Sequence, residues 1–421
     1  MTIANSNQAA LEAVWRIPGR GARILVDLDA IEQNVAAICA NVSALTQVMA
    51  IVKAGGYGHG GPLVAGAAIA GGATRLGVAT ISEGIELRQA GIDVPILVLG
   101  PVMPAEAPGA LDHRLQITIG SMHQHEALCR ELYAHGSGSP LEVQLKINTG
   151  MNRYGVNPEQ AVDAARSIEA SRVLALEGVF THFARADDED EWPTRRQAEV
   201  FRQCLAEMER AGVKPGLVHA SNSAATFRFR EYDFDMVRLG IGIYGVRPGH
   251  EVELFPGMRL AMLVSASVHR LQALKAGDSV GYGGTYTASE GERVGLLSLG
   301  YGDGYPRSLS NKAWVGFRGA RLPVVGRISM DQTTIGVPPS QPMQVGDLVS
   351  VAGDGSGGEP TVEQLAGICG TIPYEILTSL GLRLPAFFVR SDRVVAHSDN
   401  TRATGHPDLH QQRRSSSPAV S

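Results

Sequence analysis

Between Gln47 and Gly245, short β-branched runs alternate with longer amphipathic ones, and the alternation repeats eight times. No other feature constrains the fold as strongly. A strand followed by a crossover helix returns beside a parallel neighbour, so repeating the unit builds a parallel sheet with helices outside it. The strand runs are Val48–Lys53, Arg75–Ala79, Pro95–Leu99, Leu115–Ile119, Glu142–Asn148, Leu176–His182, Val218–Asn222 and Met236–Ile243. Helical patterns such as Glu83–Ala90, Gln124–Tyr133, Pro158–Ala170 and Thr194–Ala211 separate them. Eight such units fit a closed (β/α)8 TIM-type barrel better than an open sheet. After about Pro248 the texture changes. Leu260–Leu271, Arg293–Leu299, Leu322–Ile328, Thr333–Val337 and Asp347–Val351 read as strands between glycine and proline turns, with helical period returning only at Thr361–Ala366. The expected organisation is an N-terminal segment (1–28) joining a β domain, a barrel (29–250), a mostly β C-terminal domain (251–395) and a polar, disordered tail (396–421).

Composition narrows the function. The chain has 421 residues, 44% of them hydrophobic, which is enough for a large core. Its net charge of -5 and the absence of any basic run argue against a nucleic-acid partner and for a small-molecule substrate. MTIANSNQAALEAVW lacks the basic-then-apolar order of a signal peptide, and no apolar run could span a bilayer, so a cytoplasmic protein without a membrane role is expected. Cys39, Cys129, Cys204 and Cys369 lie far apart with no metal-ligand spacing and read as reduced structural thiols. The 50 glycines show no period, which excludes collagen-like and solenoid repeats.

In a barrel of this type chemistry sits at the carboxyl ends of the strands. There the sequence places Lys53, in VMAIVKAGGYGHG, together with Lys146, Asn148, His182, His219, Asn222 and Arg238. So many polar groups on one rim are hard to explain as scattered surface. Lys53 itself admits two readings: a strand end that has reached solvent, or an amine held to form a Schiff base.

IVKAGGYGHG, LKINTGMNRYG, VFTHFA, HASNSAA, VRLGIGIYG, VGYGGTY, LGYGDGYPR, GRISMDQT and IPYE occur in order between about Arg23 and Arg390. Together they resemble the alanine racemase family. The resemblance implies pyridoxal 5'-phosphate as cofactor and an amino acid as substrate. It implies that Lys53 carries the cofactor and acts as base toward the D-enantiomer, with Tyr282 as base toward the L-enantiomer. Tyrosine is a poor base at its reference pKa of about 10, and the family surrounds it with His182 and Arg238. Arg238 resembles the arginine that faces the pyridine nitrogen, a group that donates a hydrogen bond but hardly gives up its proton. The resemblance places the phosphate near Tyr57, Ser223, Gly240 and Ile241, with Asn222 and Tyr374 as further cofactor contacts. It places the substrate carboxylate at Arg153, assisted by the backbone of Met330. Lys146 resembles a lysine carbamylated in many members to orient Arg153, while Tyr301 and Tyr374 resemble a pair that narrows the substrate entrance and implies a small side chain. A homodimer with active sites shared between chains, and D-alanine production for peptidoglycan, complete what the resemblance implies.

Several positions depart from the family pattern. Asn148 and Asn152 replace a frequent acidic residue and glycine, Gly55–Gly56 replace bulkier residues, and Leu239 and Ser329 stand where proline and cysteine are frequent. Three other readings remain: a racemase of broader amino-acid range, a decarboxylase of related fold, and a non-catalytic pyridoxal-phosphate-binding barrel. A weak electron sink at Arg238 disfavours the second, and the third would lack Tyr282, Met330 and Tyr374.

Overall fold

Alternating apolar runs place this chain's strands, and in the computed structural model, which describes residues 8–136 and 138–398, they form two units. One unit takes the chain up to Ala30, the short segment Gly58–Gly60 and the chain from Arg259 on; the other takes Ile31–Tyr57 and Gly61–Met258. The first strand, β1 (Ala22–Asp27), belongs to the former. The next eight belong to the latter: β2 (Gln47–Ile51), β3 (Arg75–Val78), β4 (Ile96–Val98), β5 (Gln116–Ile119), β6 (Leu141–Lys146), β7 (Leu174–Phe180), β8 (Leu217–His219) and β9 (Met236–Leu239).

Among the described residues β2 to β9 pair in sequence order, all parallel, and β9 returns to β2 to close the barrel. Covering helices bury one face of each strand and barrel side chains the other, which is why these strands read as apolar runs rather than alternating ones. The register matters for the site. Lys146 lies opposite Phe180, and Phe180 opposite His219, so three neighbouring strands deliver these side chains at one level. On the far side Arg238 of β9 lies opposite Met49 of β2.

Seven of the eight expected barrel strands end early. β3 and β4 do so by one residue, while β6 stops at Lys146, β7 at Phe180 and β8 at His219, so Asn148, His182 and Asn222 lie in the loops that follow. β2 and β9 stop for local backbone reasons. β2 stops at Ile51, and Ala54 to Tyr57 take φ of 53°, 60°, 63° and 54°, a left-handed turn that no strand can contain. Lys53 therefore opens a turn rather than closing a strand. β9 stops at Leu239, because Gly240 (φ -95°, ψ -100°) redirects the chain into a 3₁₀ turn over Ile241–Tyr244.

The other unit is built on the strands β10 (Met262–Ala273), β11 (Ser279–Val280), β12 (Tyr286–Thr287), β13 (Arg293–Leu297), β14 (Trp314–Phe317), β15 (Ala320–Pro323), β16 (Thr333–Val337), β17 (Leu348–Ala352), β18 (Ala386–Arg390) and β19 (Arg393–Ser398). The main sheet runs β15-β14-β17-β10-β1-β18-β19, with β13 also on β10 and β16 on β13; β11 and β12 form a separate hairpin. The amino-terminal β1 thus lies inside a sheet otherwise made by the carboxyl half, antiparallel to β10 and parallel to β18. Ala10 and Val14 of the helix Gln8–Arg16 pack on Leu25, Leu263, Phe387 and Val389. The sequence reading overlooked the β14–β15 hairpin, β18, β19 and the helix Pro373–Leu380, and the run expected over Leu322–Ile328 is extended only to Pro323. β19 reaches Ser398, so residues 396–398 belong to the sheet and not to a tail; the remainder of that segment lies outside the described residues. Among the described residues no helix is long and apolar enough to cross a membrane, and all four cysteines are free.

Candidate active site

Lys53 follows the carboxyl end of β2, at the rim where β7, β8 and β9 also end. Burial lowers the pKa of its amine; the charge of Arg153 lowers it further, and Glu83 opposes both. The turn behind it costs about 1–2 kcal/mol for each non-glycine residue held left-handed. Gly55 and Gly56 remove that cost at its centre, leaving it at Ala54 and Tyr57. The glycine pair is thus a departure that suits the backbone it serves.

Arg238 is 3% exposed and acts only as a donor. Its guanidinium bonds Thr181 O and Ala220 O at 2.8 Å each, His219 Nδ1 at 2.7 Å and His182 Nδ1 at 3.1 Å. Arginine has no acceptor, so both histidines must accept through Nδ1 and carry their proton on Nε2. From His219 the order continues inward. Its Nε2–H donates to Gln144 Oε1 (2.6 Å), Gln144 Nε2 to Gln116 Oε1 (3.0 Å) and Gln116 Nε2 to Glu142 Oε2 (2.8 Å). Arg75 joins this chain at Gln116 Oε1 (3.4 Å) and pairs with Glu177 at 2.8 Å. Both histidines are held neutral, their pKa values well below the ordinary one, chiefly by burial and then by the charge of Arg238. Burial brings Arg238 down to about 9, still above neutrality, so it keeps its charge.

Beside Arg238 the chain builds a cradle. Ser223 Oγ accepts from the N–H of Gly240 (2.9 Å) and of Gly242 (3.4 Å). Tyr57 Oη lies so near Gly240 that a Cβ there would meet it at 2.3 Å, so only glycine permits this approach. Burial keeps the Tyr57 hydroxyl protonated far above its usual range. Asn222 is occupied structurally, accepting from Ala225 N (3.0 Å) and donating to Phe183 O (3.3 Å).

Lys146 is 6% exposed, with the rings of Tyr154 and Phe180 centred 5.3 and 5.7 Å from its amine. Burial first, then the charges of Arg153, Arg238 and Lys53, bring its pKa down to about 8. The loop that carries Arg153 is shaped by Asn148 and Asn152: Asn148 Nδ2 donates to Asn152 Oδ1 (3.0 Å), and Asn152 N to Asn148 Oδ1 (2.9 Å). Asn152 has φ 57°, a left-handed position that asparagine tolerates better than most residues.

In the other unit, Tyr282, Tyr301 and Met330 are 69%, 42% and 53% exposed. Backbone bonds from Tyr301 N to Ser329 O (3.0 Å) and from Gly302 N to Met330 O (2.8 Å) join two of their loops, while Gly281 and Gly283, on either side of Tyr282, pass close to Arg327. The fully buried Asp303 anchors them, accepting from Arg20 (2.7 Å), Arg383 (2.8 Å) and Gly300 N (3.0 Å), and Arg383 also pairs with Asp331 (2.6 Å). Tyr374 stands on Pro373–Leu380 in the same unit, half-buried.

Comparison with known proteins gives the family. Residues 26–248 match the model of the alanine racemase N-terminal domain, and residues 261–388 that of the alanine racemase C-terminal domain. The chain belongs to the alanine racemase family. An alanine racemase from Symbiobacterium thermophilum is 42% identical over 363 residues, covering 86% of this chain and 96% of its own length. Among solved structures, the alanine racemase of Bacillus anthracis with bound L-Ala-P superposes with a TM-score of 0.86 at 33% identity, over 92% of this chain and 99% of that one. The alanine racemase from Streptomyces coelicolor gives 0.83 at 36% identity, over 90% and 100%.

For a member of the alanine racemase family, an isomerase family, the rim is richer than the sequence reading foresaw. His219 was legible only as one more polar rim residue, and Gln144, Gln116, Glu83, Asp303, Arg20 and Arg383 drew no attention. A signal existed for the glutamines: an amide inside an apolar barrel strand needs a buried partner.

Proposed function

We propose that this chain binds pyridoxal 5'-phosphate at the barrel rim and interconverts L- and D-alanine, with Lys53 and Tyr282 as the two bases. The observation that carries the reading is Arg238, a buried cation at the rim whose four bonds commit it to donating. When bound, the cofactor supplies an aldehyde carbon that condenses with amines and a ring that takes up electrons left by a departing proton.

The residues present fit such a group. Lys53 offers an amine whose pKa burial has already lowered. Tyr57, Ser223, Gly240 and Ile241 offer hydroxyls and backbone amides where a side chain on Gly240 would not fit, which suits a phosphate. Arg238 can offer the ring nitrogen a hydrogen bond but not a transferable proton. A limited sink favours return of the proton to the α-carbon, and so racemisation over transamination. Arg153 receives the substrate carboxylate with the Met330 backbone, for which a guanidinium is suited by bidentate geometry. Tyr301 and Tyr374 keep the entrance narrow and the substrate small. Lys146, with a pKa near neutrality, holds enough free amine to take up carbon dioxide, and the carbamate would orient Arg153.

Tyr282, Tyr301 and Met330 are large side chains left exposed on this chain, which supports a homodimer in which one copy's Tyr282 serves the other copy's barrel. D-Alanine made in this way is a building block of peptidoglycan.

The test is chemical. Protein loaded with pyridoxal phosphate should convert L-alanine to D-alanine, and borohydride should fix the cofactor on the peptide containing Lys53; a label on any other lysine overturns the site. Mixed dimers of Lys53→Ala and Tyr282→Phe chains should regain up to about half the activity per dimer, since two-fold symmetry leaves one intact site. No recovery after confirmed subunit exchange refutes the shared arrangement.

A further inference from the structure

The turn behind Lys53 begins with an amide that the barrel sheet does not use. Val52 N still bonds Gly77 O (2.9 Å) and Gly56 N reaches back to Val52 O (2.8 Å), but Ala54 N–H points to a side chain, Glu83 Oε1, at 2.6 Å. The second oxygen of the same carboxylate accepts from Ala79 N (2.7 Å) and Thr80 N (3.3 Å), in a capping box that starts the helix Ile81–Gln89. One carboxylate thus ties the loop after β2 to the loop after β3.

We propose that Glu83 is a positioning residue for Lys53, clamping the first amide of the left-handed turn that follows the lysine and tying it to the loop after β3. The inference rests on the reading of Lys53 as the cofactor-bearing lysine. Besides burial, Arg153 and Glu83 act on Lys53, whose charge in turn acts on Lys146 and His182; of these four groups only Glu83 is an anion. A capping box would need Glu83 to reach only its own helix start, at Thr80. The additional bond to Ala54 serves the neighbouring loop and has no capping purpose.

The experiment uses the cofactor-free full-length chain and two readouts that do not depend on activity. One is the pH dependence of chemical acylation of Lys53, followed by peptide mass; the other is hydrogen exchange at the amide of Ala54. Glu83→Gln should move the Lys53 titration midpoint to lower pH, because loss of the carboxylate removes the charge that favours the ammonium. It should also speed exchange at Ala54 by about ten- to a hundredfold, the range for losing a hydrogen bond to a charged acceptor. Glu83→Asp keeps the charge but not the reach, so exchange should rise while the titration stays closer to that of the parent. Thr80→Ala weakens the same helix cap without touching Ala54 and should change neither readout. An unmoved Lys53 midpoint together with unchanged Ala54 exchange in Glu83→Gln overturns the proposal. So does a Thr80→Ala variant that reproduces both effects, because the capping box alone would then explain them. Borohydride labelling away from Lys53 would instead refute the underlying site reading.

Discussion

His219 should make the barrel lose stability in mild acid, by an amount the structure sets. The ring is fully buried, stacks on Phe180 at 4.8 Å, accepts from Arg238 and donates to Gln144, so its native pKa lies well below the ordinary value. In the unfolded chain it titrates near the reference value of about 6.5. A histidine whose native pKa is depressed stabilises the fold above the unfolded pKa, and that stability is lost as pH falls below it, because only the unfolded chain takes the proton. Between about pH 7.5 and about pH 5.5 the unfolded ring passes from about one-tenth to about nine-tenths protonated, and the integrated loss approaches about 1.4 kcal/mol for this one residue. The chain has 12 histidines, so the parent's pH dependence alone cannot isolate the effect. His219→Gln should be less stable at both pH values, by about 1–3 kcal/mol for the disrupted buried bonds. Its further loss on acidification should be smaller than the parent's by about 1.4 kcal/mol. Urea unfolding followed by circular dichroism at the two pH values gives the double difference. If parent and variant lose the same stability on acidification, His219 is not held neutral and the donor order assigned to Arg238 is wrong.

Gly240→Ala places a methyl 2.3 Å from Tyr57 Oη; overpacking of this kind costs about 1–3 kcal/mol, and pyridoxal phosphate retained after gel filtration should fall with it, whereas full retention would remove Gly240 from the phosphate cradle. Asp303→Asn leaves Arg20 and Arg383 facing a neutral amide. Removing one partner of a buried ion pair costs about 3–5 kcal/mol, and because both arginines are about a third exposed the low end is expected, read as a lowered urea midpoint and faster exchange at the amides of Gly300 to Gly302. Lys146, with a pKa of about 8, should give a carbamate carbon resonance with labelled bicarbonate that strengthens as pH rises through that value, since only the free amine reacts; its absence throughout would leave Arg153 without that anion.

The barrel was legible because its strands are buried on both faces and so stand out as apolar runs between amphipathic ones. Boundaries were less so, and for local reasons: the apolar run containing Val48–Lys53 reads straight through Val52, and only the φ values at Ala54 to Tyr57 show where the strand must stop. The β14–β15 hairpin was hidden because its strands are four residues each and are joined at Arg318–Gly319, two residues of positive φ without a recognised turn signature. The N-terminal segment was expected to join the β domain, but β1 itself and its partners were not legible, since β10 and β18 lie more than two hundred residues away in sequence. In the site, groups recognised through motifs were found by their neighbours in sequence. Glu83 and Asp303 were not, because their importance lies in which distant amides and arginines they reach, and residue type alone carries no record of that.

The hydrogen-bond chain from Arg238 to Glu142 also governs what the barrel interior can conduct. Its first member only donates, and the two members before the carboxylate are amides, Gln144 and Gln116, which neither store nor release protons near neutrality. A relay would require every link to reverse, and none after Arg238 can do so without leaving an N–H facing an N–H. The column is therefore a protonic insulator. A proton cannot pass along the column to the Arg238 guanidinium, so the rim exchanges protons only through its own groups.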